Sequence, residues 1–381
     1  MPLSKAVGNI FFALVLLGLI HRLILKRDDV LEIFRANRKI FCVTGIFLAA
    51  IFVSALSAES VLYGVTRFLK RYVLHAAVML PVIFLRFERR QIILFAELLL
   101  AGIFLSNVAV ILQAVPRLSA EDWRFGGVMP PMTQASLLAM FLPVYVLLFM
   151  HFKERRRKII FALAVLTGVA AAAFNGTRGA WLAILILTPV AVLLYTKNKL
   201  RAISAILAVV ILIGGIFVAT PHLSSRLATL TNLQMQSNSE RLLMWQSALK
   251  MFEDHPILGI GYGGYIPAYQ TQYISPDAKE PEQKHAHNNF IQLLAECGIV
   301  GASAFLLVWG YFSHFALSGW FKRKNLSYLL FFCVLWGLML HGLTEFNFET
   351  SVTSRVFWFS LGLCLAFNFN RGDFPCRSST A

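Results

Sequence analysis

Four sets of polar residues in this chain have types and spacing suited to chemistry. In His285-Ala-His287-Asn288, followed by Phe290-Ile-Gln-Leu-Leu, two histidines stand where a polar stretch gives way to an apolar run. A neutral imidazole there suits a general base, because it takes up a proton near neutral pH. His-x-His is also a metal pair, but no neighbouring cysteine or paired carboxylate offers an obvious third ligand, so no metal is expected. Asn175-Gly-Thr-Arg178-Gly179 separates two apolar runs. A turn needs the glycine and the asparagine but not the arginine. Arg178 stands where a helix begins, near the positive end of its dipole. The plain alternative to a functional role is that its guanidinium snorkels onto a lipid headgroup. Arg241, with Arg226 upstream, is a second arginine, on a half-buried helix face, and its plain alternative is a solvated charge. His341, Glu345 and Glu349 form the last set, and either orient a histidine or an acceptor or are solvated.

The elements that must hold these residues are membrane helices. Of the 381 residues, 58% are hydrophobic and only 14% charged, and the mean hydropathy is +0.68. Soluble domains are about a quarter charged, so a soluble protein is excluded. The apolar runs reach the roughly 20 residues that a bilayer-spanning helix needs. A membrane β-barrel would show short alternating segments instead. The fold class is therefore an all-α polytopic membrane protein. Spans are expected at 7–25, 40–57, 73–87, 92–114, 131–150, 159–174, 180–196, 202–219, 289–318, 326–343 and 353–369. The chain divides into N-terminal transmembrane helices (1–219), one large polar loop containing helices (220–288), and C-terminal helices with a short tail (289–381). Glu97 is a carboxyl inside the fourth span, with no assigned role.

The formal net charge of +16 would suggest nucleic acid in a soluble protein. Here Lys and Arg cluster after every second span, in 21–39, 86–90, 153–158, 197–201, 322–324 and the tail. Such a pattern marks cytoplasmic segments, so the excess charge reports orientation, and no nucleic-acid partner is implied. The opposite face is nearly neutral and carries 58–72, 115–130, 175–179, 220–288 and 344–352. Cys42, Cys297, Cys333 and Cys364 lie in or beside apolar runs and Cys376 lies in the tail, so no disulfide framework is expected.

Inside the large loop, Ser237-Asn-Ser-Glu240 reads as a capping box, with Ser237 as N-cap and Glu240 at the third helical position. Leu242, Trp245, Leu249 and Phe252 then recur at helical spacing, with Arg241 roughly on the Trp245 side, and His255-Pro256 ends the helix.

These residues together resemble the O-antigen ligase family. Arg178-Gly-Ala-Trp-Leu182 fits its R-x3-L motif. His287-Asn288, nine residues, then Gly298-Ile-Val-Gly301 fits its H-[NSQ]-x9-G-x-x-G pattern. Between them, Glu240-Arg241, Trp245 and His255-Pro256-Ile-Leu-Gly259-Ile-Gly261 are similar to the family's large periplasmic loop. Family members usually have twelve spans with both ends cytoplasmic. Eleven are read here, so either a first helix is missing or a segment such as 58–72 enters the membrane. The resemblance implies a multi-pass protein of a Gram-negative inner membrane with its site facing the periplasm. Its activity would be inverting transfer of O-antigen from undecaprenyl pyrophosphate to a lipid A core sugar hydroxyl. No cofactor, metal or nucleotide is implied. His287 would be the catalytic base, and Arg178, Arg241 and Arg226 would bind the donor pyrophosphate. His285, Asn288 and Glu345 would support or orient. Leu182, Gly298 and Gly301 would be structural motif residues. The related rivals are an O-antigen polymerase and a protein O-oligosaccharyltransferase. A lipid-linked glycan transporter is a rival of a different class, but convincing internal repeats are absent.

Overall fold

Long runs of Leu, Ile, Ala and Phe satisfy their backbone polar groups internally only as helices when lipid surrounds them, and the chain folds accordingly. A computed structural model describes residues 17–22, 24–118, 124–221, 224–225 and 235–369; among them no strand occurs. The helices are α1 (Arg27–Ala36), α2 (Arg38–Leu56), α3 (Val61–Phe68), α4 (Met79–Phe84), α5 (Arg89–Ala114), α6 (Pro131–His151), α7 (Arg155–Asn175), α8 (Arg178–Tyr195) and α9 (Lys199–Ala219). After the large loop's α10 (Gln236–Asp254) come α11 (Asn289–Arg323), α12 (Leu326–His341) and α13 (Ser351–Phe369). Among the described residues, seven helices are long and apolar enough to cross a bilayer: α2, α5, α6, α7, α8, α11 and α13. The chain is a multi-pass membrane protein. The expected span at 7–25 falls mostly outside the described residues.

The expected span at 73–87 is not one helix. It breaks into a helical turn at Leu74–Ala76 and α4, preceded by a π-helical turn at Leu69–Val73 and by α3. Pro81 supplies a reason: it has no N–H to donate and its ring crowds the carbonyl four residues earlier, at the 77–78 break. The segment 58–72, expected as an outer loop, is thus helical from residue 61.

Helix α6 is the central element, 83% buried over its apolar window and packed against α7, α8 and α12. α11 packs on α2, α12 and the loop helix α10. This brings the start of α8, α10, the start of α11 and the α12–α13 loop together at one end of the bundle.

Two expectations for α10 fail. The helix begins at Gln236, its N-cap is Met235, and no side chain caps it. Glu240 is buried and turned away, accepting from the backbone N–H groups of Lys279 (2.8 Å) and Glu280 (3.2 Å). The two N–H groups bring it more than the reciprocal cap would, and they fold the 275–280 segment onto α10. The buried stripe also differs from the expected one. Met244, Ser247, Ala248 and Met251 face inward, whereas Leu242 and Leu249 are 39% and 41% exposed. Small residues and flexible methionines allow close approach to Ala295 of α11 and to Tyr265 and Tyr269.

Candidate active site

The 175–179 turn is built by residues with separate tasks. Gly176 ends α7 in the left-handed conformation (φ +66°). Asn175 is buried and donates to the carbonyls of Phe125 (2.9 Å) and Pro131 (3.0 Å), which pins the segment carrying Arg124. Arg178 is the first residue of α8. Gly179 follows it because the 341–344 segment lies against this turn; a Cβ there would stand 2.0 Å from Thr344 Oγ1. Arg178 donates to Ser237 Oγ (3.1 Å), Asn238 Oδ1 (2.9 Å) and Met235 Sδ (3.7 Å). The residue expected to cap α10 therefore binds Arg178 instead, and α8 and α10 are joined at their first turns.

Arg241 follows on α10, half-buried. Burial lowers its pKa and the neighbouring Arg124 lowers it further, while Glu345 opposes both. Arg178, Arg241 and Arg124 thus form one electropositive group. Arg124 was not found from sequence, because nothing in its own segment sets it apart. Arg226 lies outside the described residues. Leu182 is 42% exposed on α8 and does not pack into this group.

The histidine segment enters α11 through strained backbone. His287 has φ +48°, in the left-handed region that non-glycine residues rarely occupy. Asn288 is the N-cap of α11, accepting from the N–H groups of Phe290 (2.9 Å) and Ile291 (3.2 Å) and donating to Leu343 O (2.9 Å). Asn289, overlooked in the sequence, binds the Asn347 side chain (2.9 Å) and accepts from its backbone N–H (3.1 Å). Both asparagines tie the histidines to the loop that carries Glu345. Trp245 fixes the other side by donating to Ala286 O (2.7 Å). Further along, Gly298 (φ +59°, ψ −161°) kinks α11. The kink lets the 256–257 carbonyls accept from Ile299 and Val300 (2.9 and 3.3 Å), and a Cβ on Gly298 would collide with Ile257 at 2.4 Å. Gly301 is buried one turn later.

His287 Nδ1 lies 3.0 Å from Glu345 Oε2, and His285 Nε2 lies 3.7 Å from Glu345 Oε1. Burial alone would raise the Glu345 pKa, but the hydrogen bond from His287 and the surrounding histidine charges outweigh it and hold it at about 2. Burial, then the His287 charge, pushes His285 down to about 4 against the pull of Glu345. With Nδ1–H donated to the carboxylate, Nε2 of His287 is the basic nitrogen. The Gln283 amide oxygen lies 3.2 Å from Nε2 and, being only an acceptor, is hydrogen-bonded there only when Nε2 carries the proton. His341, expected beside these groups, is buried beneath them on Ser136 Oγ (2.9 Å). The absence of a third metal ligand, expected from sequence, is corrected here: ligand atoms of His285, His287 and Glu345 lie within 4.8 Å of one another. The carboxylate comes from 58 residues away, which local spacing cannot show.

Residues 162–306 match the sequence profile of the O-antigen ligase family. A Rickettsia conorii protein named "Putative polysaccharide ligase" is 27% identical over 132 residues, 33% of this chain. The match spans about 30% of that relative's length.

The matched segment holds Arg178, Arg241, both histidines and the two motif glycines, but Glu345 and part of its support lie outside it. Part of that support is Arg67 of α3. Its Nε and Nη2 donate to both oxygens of Glu349 (2.6 and 2.7 Å), and its Nη1 lies 3.8 Å from buried Glu296. Tyr262 donates to Glu349 at 2.5 Å. Glu296 accepts from the N–H groups of Gly263 (3.1 Å) and Tyr265 (3.3 Å). Burial lowers the Arg67 pKa, but Glu296 and Glu349 outweigh it and the net shift is upward. This network fastens the loop carrying Glu345 to α3, α11 and the segment after α10.

Proposed function

We propose that this chain is an inverting glycosyltransferase that moves O-antigen polysaccharide from undecaprenyl pyrophosphate to a lipid A core hydroxyl at the periplasmic face of the inner membrane. The observation that carries this reading is a juxtaposition. His287 is bonded through Nδ1 to Glu345, beside Arg241, which shares its charged group with Arg178 and Arg124.

In this reading the acceptor hydroxyl displaces the Gln283 amide at His287 Nε2 and gives up its proton there. The acceptor oxygen bonds to the anomeric carbon from the face opposite the pyrophosphate. The bond from that carbon to the pyrophosphate oxygen breaks, and its electron pair leaves with the phosphate. Arg178 and Arg241 hold the growing negative charge with bidentate donors, at a partly desolvated site where such contacts are stronger than in water. Glu345 fixes the His287 tautomer and stabilises the imidazolium. His285 and Asn288 hold the segment in place. Arg226 is proposed as a further donor contact. The fixed cations take the charge-neutralising role that a metal has elsewhere, and no nucleotide takes part.

A reconstituted assay with lipid-linked donor and core acceptor tests this. Covalent transfer is expected, and His287→Ala is expected to slow it by about 10²–10⁴-fold. Glycan transport without transfer, or full activity in His287→Ala, contradicts it. A gene-deletion lipopolysaccharide gel separates the polymerase reading: loss of a ligase leaves bare core, whereas loss of a polymerase leaves core capped by one repeat. The three-ligand cluster favours a second, metal-assisted reading. A metal there would coordinate His287 and remove it as a base, so chelation distinguishes the two: transfer that survives chelation supports the histidine base.

A further inference from the structure

At the opposite, Lys- and Arg-rich end of the bundle, α5 and α7 separate. Their site-side halves are in contact: Asn107, Val110 and Ala114 meet Gly168, Ala171 and Ala172. A buried chain fixes α5 to α6 at the same level, Ser106 donating to Gln134 Oε1 (2.6 Å) and Gln134 donating to Asn107 Oδ1 (2.8 Å). Beyond that pin lies a cavity of about 1340 Å³, walled by α5, α6, α7, α12 and α13. Ile93 of α5 and Ile160 and Leu163 of α7 line it and are 40%, 52% and 50% exposed, so it opens sideways between these two helices.

The cavity's depth, lining and rim define what fits. On α5 the lining runs from Arg89 to Phe104 and on α6 from Phe141 to His151, about 22 and 15 Å at the helical rise. That is roughly one leaflet of a hydrocarbon core about 30 Å thick. The volume exceeds the roughly 300–1,000 Å³ of small-molecule pockets, and the deep walls are Leu, Phe and Val. Four cations, Arg89, Arg156, Arg157 and Lys324, line the cavity with two carboxylates, Glu154 and Glu97. Arg89 lies over Phe367 (5.0 Å), Arg157 over Phe152 (5.0 Å) and Lys324 over Trp320 (5.6 Å), so aromatic side chains hold the cationic heads around the mouth. Glu154 is engaged by Arg157 at 3.4 Å. Glu97 lies two turns deeper on α5 than Arg89, about 12 Å along the axis.

From this wedge we infer that the chain binds one diacyl glycerophospholipid with an anionic headgroup, taken from the leaflet at its basic end. The acyl chains fill the gap between α5 and α7, and the phosphate sits among Arg89, Arg156 and Lys324. The site is separate from the histidine site and does not depend on the reaction proposed there.

Native mass spectrometry of the full chain, released from nanodiscs of equal parts phosphatidylglycerol and phosphatidylethanolamine, tests the inference. One retained phosphatidylglycerol per chain is expected. Each basic residue near an anionic headgroup contributes about fivefold, so Arg89→Gln/Arg156→Gln/Lys324→Gln should lower retention at least tenfold. The same charge loss away from the cavity, Arg35→Gln/Arg38→Gln/Lys39→Gln, should leave it intact. Leu163→Trp should also expel the lipid while leaving every cation in place. Equal retention of both lipids, or equal loss in both triple variants, overturns the proposal. So does loss in Glu97→Gln, because that carboxylate would then be holding an ammonium headgroup.

Discussion

Two arginines at the same end of the bundle have opposite surroundings. Arg67 is clamped by both oxygens of Glu349, lies near Glu296, and has its pKa raised. Arg241 stands near Arg124 and has its pKa lowered by burial and by that neighbour, with Glu345 opposing. Arg67 already has its counter-ions and serves the scaffold. Arg241 is a desolvated cation whose burial the nearby Glu345 does not offset, and an arriving anion relieves it. Charge balance, rather than residue type, separates the arginine that holds the protein from the one proposed to hold the donor.

The largest effects should fall on these two residues in different measurements. Arg67→Ala leaves Glu349 and Glu296 buried without their cation, which costs about 3–5 kcal/mol, and thermal unfolding in detergent should show a clear loss. Arg241→Ala should unfold at the wild-type temperature but slow glycan transfer about 10²–10³-fold, the usual effect of removing one donor to developing charge. Matching behaviour of the two variants would break the comparison. Arg178→Lys comes next. It keeps the charge but loses the planar fork, so transfer should fall about tenfold; normal transfer would make Arg178 a lipid-anchoring residue.

The smallest effect expected is on pH stability. An unfolded chain protonates His285 near 6.5, whereas the folded protein does so near 4. Between those values the unfolded state binds more protons, so stability falls as pH falls. Glu345, held near 2 against an ordinary 4.5, acts with the same sign at lower pH. Unfolding temperature should drop by about a few degrees between pH 7 and pH 5, and His285→Gln should flatten that slope. An unchanged slope would remove His285 as its source.

Local pattern encodes part of the candidate site. Arg178 at a helix start and the histidine segment each follow from short stretches of chain, whereas the Gly298 kink depends on contact with distant Ile257 and was not legible. Partners from distant segments were not legible. Arg67 meets Glu349 across 282 residues, and Asn175 positions Arg124 through the carbonyl of Phe125, 50 residues earlier. The apparent capping box at Ser237 and Glu240 failed for the same reason, because both residues found stronger tertiary partners. Helix positions followed from hydropathy wherever the spans were long. They did not at 58–87, where the helix bends and breaks near Pro81.

The central claim is that a hydroxyl activated by His287 attacks the anomeric carbon of a lipid-linked glycan directly. The anomeric configuration of the newly formed bond, compared with that of the donor in a purified reaction, tests it most directly. A single displacement predicts inversion. Retention of configuration would require a covalent glycosyl-enzyme or another nucleophile, and would contradict the role given to His287.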